Sequence, residues 1–421
     1  MSPFLFADRK LSGSTICLFV MSSLVAFAPL HTKILGAAWV FFFVWGMRNS
    51  FRSHILADQS IRAATLAWLV SCGIALFLAW ICIAIWGEDL DGLNPQMRLA
   101  LMALAAMLLI YKRGPSPSLR SGIAYSLAAG CTVAFFWTTF LATQGMDVRE
   151  NLASNAIPWA AAISFYPCLL LPLALSENQS IRRRRLWLIA VLLGLTATIL
   201  SETRGVLLVL PWCLVVYGWF WHQSRHDRLR SYRVVMLSIL LAGITLAVSW
   251  WAPGDPLRLH KTIHEVREIQ SAQNYNTSIG ARLYIWNMAI EGISASPWIG
   301  IGSSERKRRI ENAGENGPPE ELGKYATVRG VGHVHNQYLN SALDGGIIGL
   351  IALLTLLIGM IAAIRKLIRV DTAAAWQLGG VLLMHATTSI TNVNFLHNYY
   401  VMALSLAAIV PLLCARRNLL S

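Results

Sequence analysis

The residues best suited to chemistry lie at the end of a single long polar insert. Residues 253–333 interrupt an otherwise apolar chain, and they are followed by His335-Asn336, nine further residues, and then Gly346 and Gly349. A histidine can accept a proton near neutral pH, so His335 could act as a general base. The competing interpretation is a structural histidine followed by glycines that let helices pack closely.

Two arginines could add the capacity to bind an anion. Arg204 lies in the turn Ser201-Glu202-Thr203-Arg204-Gly205, and Arg282 lies in the polar insert, one helical turn before Trp286. The planar guanidinium group binds phosphate or carboxylate through two parallel hydrogen bonds. An arginine at the end of a membrane span can instead extend to lipid headgroups, and this alternative stays open for Arg204.

The elements that must position these residues are membrane helices. The 421 residues are 56% hydrophobic and only 13% charged, which is too apolar for a soluble protein of this length. Apolar stretches recur along the chain, and we count about twelve spans. They are Leu11–Leu30, Ile34–Met47, Ala63–Trp86, Leu99–Tyr111, Ile123–Leu141, Ile157–Leu175, Leu186–Leu200, Gly205–Trp221, Val234–Trp251, Gly345–Ile364, Ala373–Ile390 and Tyr399–Cys414.

The charge of the loops predicts the topology. Cytoplasmic loops collect Lys and Arg, and most of the 35 basic residues fall on one side if the N-terminus is cytoplasmic. The net charge of +14 is then spread over many short turns, such as the one containing Arg182–Arg185, and does not form one nucleic-acid-binding patch. This topology places the insert on the outer side, which is the periplasm if the organism is a Gram-negative bacterium, and the C-terminus in the cytoplasm.

The chain therefore divides into three parts. We expect nine spans in residues 1–252, a periplasmic insert in residues 253–333, and three spans in residues 334–421. Within the insert, Ser278 as N-cap and Pro297 as a stop signal predict a helix that ends at Ala295. Its apolar stripe is predicted to consist of Leu283, Trp286, Ile290 and Ile293.

The pattern of residues 335–349 resembles the O-antigen ligase (WaaL) family, within the wider superfamily of O-antigen ligases and polymerases. That family has His, then Asn, Ser or Gln, then a nine-residue gap and Gly-x-x-Gly. The resemblance extends to Arg204 in an Arg-Gly turn that opens a span, to Arg282 before a tryptophan, and to the layout of spans over essentially the whole chain. The turn here reads Glu-Thr-Arg-Gly where relatives are expected to have serine, which leaves the role of Glu202 open.

The resemblance implies a fold and a reaction. The fold is an all-α integral membrane bundle of the GT-C glycosyltransferase type, with a periplasmic catalytic insert. The reaction is transfer of an O-antigen glycan from undecaprenyl diphosphate to a hydroxyl of the lipid A-core oligosaccharide, with inversion of the anomeric centre. The partners are therefore these two substrates and the membrane lipids, with no nucleic acid.

The resemblance also implies a role for each site residue. A glycosyl diphosphate carries its own leaving group, so the site must neutralise negative charge, and Arg204 and Arg282 are the candidates. His335 would accept the proton of the acceptor hydroxyl. No acidic cluster suits a divalent metal, so we expect no cofactor and a metal-independent transfer. The supporting positions are Glu202, Asn336, Gly346 and Gly349.

Several alternatives stay open. His335 could orient a phosphate or cap the tenth span, with Glu202 or Asp344 as the base. An O-antigen polymerase would share the pattern and differ in the acceptor. A protein-directed oligosaccharyltransferase is expected to have an added C-terminal region, for which a chain ending at Ser421 leaves no room. A lipid-linked oligosaccharide flippase would place its ionisable groups near mid-membrane, whereas the notable charges here gather on one side.

Overall fold

The protein is all-helical throughout the part of the chain that the structure describes. The computed structural model describes residues 13–49, 58–113, 117–176, 180–223, 264–265, 267, 275–315 and 319–416, and no strand occurs in these ranges. The α-helices are α1 Gly13–Phe27, α2 Thr32–Asn49, α3 Gln59–Trp86, α4 Asn94–Arg113, α5 Pro117–Thr143, α6 Ala156–Leu175, α7 Ile181–Leu200, α8 Val209–Gln223, α9 Ser278–Ala295, α10 Ser303–Glu311, α11 Ala326–Arg329, α12 Gln337–Leu367, α13 Thr372–Thr391 and α14 Asn398–Cys414.

Six of the described helical segments are long and apolar enough to cross a membrane, which makes this a multi-pass membrane protein. They are Gln59–Trp86, Leu90–Ile110, Leu119–Thr143, Ala156–Leu175, Arg204–Gln223 and Gln337–Leu367. Every predicted span coincides with a helix except Val234–Trp251, which lies outside the described residues. The total of about twelve spans and the GT-C type stay predictions.

Helix α6 forms the centre of the bundle. Of its most apolar stretch, 94% is buried inside the protein, against 28% for α3, whose remaining surface faces outward. The neighbours of α6 include α7, α13 and α14. Because a buried helix and a lipid-facing helix are equally apolar, hydropathy alone could not predict which helix is central.

The insert has a small apolar core of its own, separate from that of the bundle. Its buried residues are Ala281, Ile285, Ala289, Ile301, Ile310, Ala313, Val328, Val334 and Leu343. These residues come from α9, α10, α11, the first turns of α12 and the segments that connect these helices. The insert therefore packs directly on the start of the tenth predicted span. The domain boundary at residue 253 stays a prediction, since residues 251–263 lie outside the described ranges.

Helix α9 has the predicted bounds, but its cap and its buried face differ from the prediction. The N-cap is Thr277, whose hydroxyl accepts a hydrogen bond from the Gly280 N–H at 3.0 Å. Leu283 and Ile290 are exposed. The buried positions are Gly280, Ala281, Ile285, Ala289 and Gly292. Of the predicted stripe, Trp286 and Ile293 do pack against the core of the insert, whereas Leu283 and Ile290 do not. Small residues bring α9 close to α12, where a Cβ on Gly292 would lie 2.5 Å from Leu343 Cδ1.

Helix α12 is broken at Gly346, one residue after the predicted start of the span. Gly346 has φ 59° and ψ −148°, a conformation open essentially to glycine alone. The break lets residues 296–302 dock backbone to backbone on α12. The Ile301 N–H donates to the Leu343 carbonyl at 2.8 Å, and the Ile347 N–H donates to the Pro297 carbonyl at 2.8 Å.

Candidate functional site

His335 lies in the short segment that leads into α12, in a backbone conformation that is uncommon for residues other than glycine. Its φ is 54°, in the left-handed region. Its backbone N–H donates to His333 Nδ1 at 3.2 Å, and the two imidazole rings meet edge to face with centroids 4.2 Å apart. His397, which precedes α14, lies beside His333 at 6.3 Å between ring centroids. His333, His335 and His397 therefore lie close together, although they come from two separate segments of the chain.

Asn336 has a structural function as the N-cap of α12. Its side-chain oxygen accepts hydrogen bonds from the Tyr338 N–H at 3.0 Å and the Leu339 N–H at 3.1 Å. These bonds satisfy backbone donors that a helix start leaves without partners. The residue that caps the helix is therefore Asn336, and the adjacent His335 is left for another role.

Two helices hold Val334, the residue before His335. Its N–H donates to Asn340 Oδ1 of α12 at 3.4 Å, and its carbonyl accepts from the Trp286 indole of α9 at 2.9 Å. Arg282 lies one turn before Trp286 on the same helix. The hydrogen bond from Trp286 therefore links the helix that carries Arg282 to the segment that carries His335.

The arginine of the α7–α8 turn and the arginine of the insert lie within electrostatic reach of each other. Burial lowers the pKa of the half-buried Arg282 first, the neighbouring charge of Arg204 lowers it further, and Arg149 adds to the effect. Glu265 acts in the opposite direction. Arg282 in turn lowers the pKa of His335. Arg282 is thus within electrostatic reach of both Arg204 and His335, which are far from it in the sequence.

The turn that carries Arg204 is held from two sides. The Arg149 guanidinium donates to the Glu202 carbonyl at 2.9 Å, and Glu202 has a left-handed φ of 52°. Gly205 lies against α13, where a Cβ would be 2.6 Å from Thr391 Oγ1. The arginine-glycine pair therefore combines an exposed guanidinium with a close approach of the backbone to a neighbouring helix.

The histidines of the site are neutral near pH 7. Burial, followed by the neighbouring His333 and Arg282, lowers the pKa of His335 to about 3. Burial and the neighbouring His397 and Arg306 lower the pKa of His333 to about 4. A neutral imidazole can accept a proton, and a bound anion would make that proton easier to hold.

The two glycines of the pattern allow close backbone packing. A Cβ on Gly346 would collide with the backbone of Trp298 and Ile299, and a Cβ on Gly349 would collide with the Ser341 carbonyl. Among the described residues, no group of three His, Cys, Asp or Glu side chains is arranged to hold a metal ion.

Sequence reasoning missed Arg149 and the ion pair of Arg306 with Asp344, whose Nε and Oδ1 atoms are 2.7 Å apart. The predicted topology places the loop between the fifth and sixth predicted spans on the same side as the insert, and that signal could have identified Arg149. No pattern in the sequence connects Arg306 to Asp344.

Comparison with known proteins agrees with the resemblance. Residues 189–354 match the family described as O-Antigen ligase, and this segment contains Arg204, Arg282, His335 and both glycines. A Haemophilus influenzae protein described as uncharacterized is 26% identical over 174 residues, which are 40% of this chain and 41% of that protein. The match thus spans less than half the length of that relative. The match over residues 189–354 supports a relationship to the superfamily of O-antigen ligases and polymerases.

Proposed function

We propose that the protein is a lipopolysaccharide O-antigen ligase that transfers a glycan from undecaprenyl diphosphate to the lipid A-core oligosaccharide. The observation that carries the proposal is that Arg282 lies within electrostatic reach of both Arg204 and the neutral His335, all three inside the matched segment. Cations beside a neutral base suit a reaction that binds a diphosphate and removes a proton from a hydroxyl.

The proposed step is a direct displacement. The oxygen of the acceptor hydroxyl attacks the anomeric carbon of the glycan, and His335 takes the hydroxyl proton. The bond between the anomeric carbon and the phosphate oxygen breaks, and undecaprenyl diphosphate leaves with both electrons. Attack opposite the leaving group inverts the anomeric centre.

The arginines would stabilise the leaving group. Negative charge grows on the diphosphate as its bond to the sugar breaks, and fixed guanidinium groups in a partly desolvated site stabilise that charge without rearranging. Arg149 extends the set, because it acts on Arg282 and also holds the turn of Arg204. The transfer would then need no metal, and EDTA should leave its rate unchanged.

The proposed location follows from the predicted topology. The protein would lie in the bacterial inner membrane with both termini in the cytoplasm and the site facing the periplasm. Lipid-linked glycan and the lipid A-core oligosaccharide would both reach the site from the outer leaflet.

A reconstituted reaction tests the proposal. Purified protein in detergent would be given lipid-linked glycan together with lipid A-core oligosaccharide or with a second lipid-linked repeat as acceptor. Glycan joined to lipid A-core supports the ligase, and its formation without a second compartment excludes a flippase. Elongation of the lipid-linked glycan without joining to lipid A-core would identify a polymerase and overturn the proposal.

A deletion in cells gives an independent test. Loss of the protein should cause lipid-linked polysaccharide to accumulate, and the lipopolysaccharide should lack the O-antigen glycan. Accumulation of single repeats would instead indicate a polymerase.

A further inference from the structure

Arg306 is a buried arginine outside the cationic cluster of Arg149, Arg204 and Arg282. It lies on α10 and is only 2% exposed. Its Nε donates to Asp344 Oδ1 of α12 at 2.7 Å, and its Nη1 donates to the Gly332 carbonyl. A buried arginine needs a counterion and hydrogen-bond acceptors, and here it has both.

The ion pair continues as a chain of hydrogen bonds to the segment that carries His335. Asp344 Oδ2 accepts from Asn340 Nδ2 at 2.8 Å, and Asn340 Oδ1 accepts from the Val334 N–H. Trp286 holds the carbonyl of Val334 from the other side. Gly332 and Val334 are therefore both fixed through their backbones, directly before His335.

A fixed backbone matters at this place because His335 has a left-handed φ. A residue other than glycine keeps such a conformation only where its surroundings impose it. The groups that fix the segment are the side chains of Arg306, Asn340 and Trp286, since each bonds to the backbone of residues 332–334.

We propose that Arg306, Asp344 and Trp286 are positioning residues that hold the imidazole of His335 against the acceptor hydroxyl. This inference rests on the proposed function, in which His335 is the base. The ion pair sets the place of residues 332–334 relative to α12, and Trp286 sets it relative to Arg282. A base displaced by about 1 Å loses on the order of 100-fold in rate, although the substrates still bind.

The main test replaces the whole ion pair by apolar side chains in the double variant Arg306→Met with Asp344→Leu. Such replacements of buried pairs are often neutral for folding, whereas removal of one partner leaves an unpaired buried charge. The hydrogen bonds to Gly332 and Asn340 are lost. We expect kcat to fall by about 100-fold, with the donor KM changed by less than about twofold.

A milder variant and a matched control accompany it. Trp286→Phe keeps the aromatic ring and removes the indole N–H, and kcat should fall by about tenfold. Arg308→Gln breaks an exposed ion pair with Glu305 on the same helix and should leave kcat unchanged. Amide hydrogen exchange at residues 331–335, measured without substrates, should be faster in both test variants than in Arg308→Gln.

The outcomes separate this inference from the proposed function. Absence of transfer by the wild-type protein overturns the proposed function. In that case amide hydrogen exchange still tests whether Arg306, Asp344 and Trp286 fix the backbone of residues 331–335. Wild-type kcat in both folded variants overturns the positioning role. A raised donor KM with unchanged kcat also overturns it, since that result would make Arg306 a donor-binding residue. If the double variant does not fold, Trp286→Phe decides by the same criteria.

Discussion

Arg282 and Arg306 lie on consecutive helices of the insert, but their surroundings are opposite in charge. Arg306 is buried, paired with Asp344 and hydrogen-bonded to a carbonyl. Arg282 is half-buried beside two further arginines, and Glu265 opposes them. An arginine neutralised within the protein stabilises structure, whereas a cluster with excess positive charge is stabilised by binding an anion. From this contrast we predict that Arg306 has a structural role and that Arg282 binds an anion.

His335 lies between the surroundings of Arg282 and those of Arg306. Its imidazole is kept neutral in part by the charge of Arg282, and its backbone follows a segment fixed by Arg306. The cationic cluster would thus govern the proton affinity of the base. The ion pair of Arg306 with Asp344 would govern the position of its imidazole. The following predictions disturb one side of this comparison at a time.

The largest effect is expected from His335→Asn, which removes the proposed general base. Asparagine tolerates the left-handed backbone better than alanine does, so the fold should be preserved. The rate of transfer should fall by about 10²- to 10⁴-fold, because the acceptor hydroxyl loses its proton acceptor. Initial rates with saturating substrates measure the effect, and an unchanged unfolding temperature controls for folding. Full activity in the variant would show that His335 is not the base.

The second largest effect is expected from Gly346→Ala, which disturbs the backbone of α12 next to Asp344, the partner of Arg306. Alanine is strained at φ 59° and ψ −148°, and its Cβ would collide with the Trp298 carbonyl. Strain alone should lower the free energy of unfolding by about 1–3 kcal/mol. The matched control is Gly332→Ala, where a Cβ meets nothing within 4 Å. Thermal unfolding in detergent compares the two variants, and equal unfolding temperatures would contradict the role of the helix break.

The elements of the fold were predictable from local signals. The end of α9 was predicted correctly and its N-cap to within one residue, because a cap and a proline act on neighbouring residues. Its buried face was predicted only in part: Trp286 and Ile293 pack on the core of the insert, but the fully buried positions include the small residues Ala281, Ala289 and Gly292, whereas hydropathy favours larger side chains. Which face of a helix is buried depends on the partner helix, and the sequence of α9 does not contain that information.

The candidate site was predictable in part. Arg204, Arg282 and His335 were chosen from the predicted topology and the family resemblance, and the structure places Arg282 within electrostatic reach of both Arg204 and His335. Their roles stay predictions. The pairing of Arg306 with Asp344 was not predicted, because the partners are 38 residues apart and Arg306 lies in a run of basic residues. The sequence alone does not distinguish a neutralised arginine from an anion-binding arginine, because the charges beside each side chain are determined by the fold.

A smaller effect is expected from Arg282→Lys, which keeps the charge of the cationic cluster and removes the planar fork. Loss of one charge-assisted hydrogen bond to the diphosphate costs about 1.5 kcal/mol, which corresponds to a rise of about tenfold in the donor KM. Arg308→Lys is the control, since Arg308 is exposed and lies outside the cluster. Initial rates over a range of donor concentrations measure the effect. An unchanged donor KM would argue against diphosphate recognition by Arg282.

The smallest effect is expected in the pH dependence, and its sign follows from the charges around His335. In the free enzyme the pKa of His335 is lowered to about 3, so His335 stays a base as the pH falls through 6.5, and kcat/KM should not decrease there. A bound diphosphate adds negative charge and raises this pKa, so kcat should begin to fall at a higher pH than kcat/KM does. Rate profiles between pH 4 and 8 measure both, with His335→Asn as the control. If kcat instead fell only at a lower pH than kcat/KM, the bound donor would be making protonation of His335 harder. That result would exclude a negatively charged group beside Arg282 and His335.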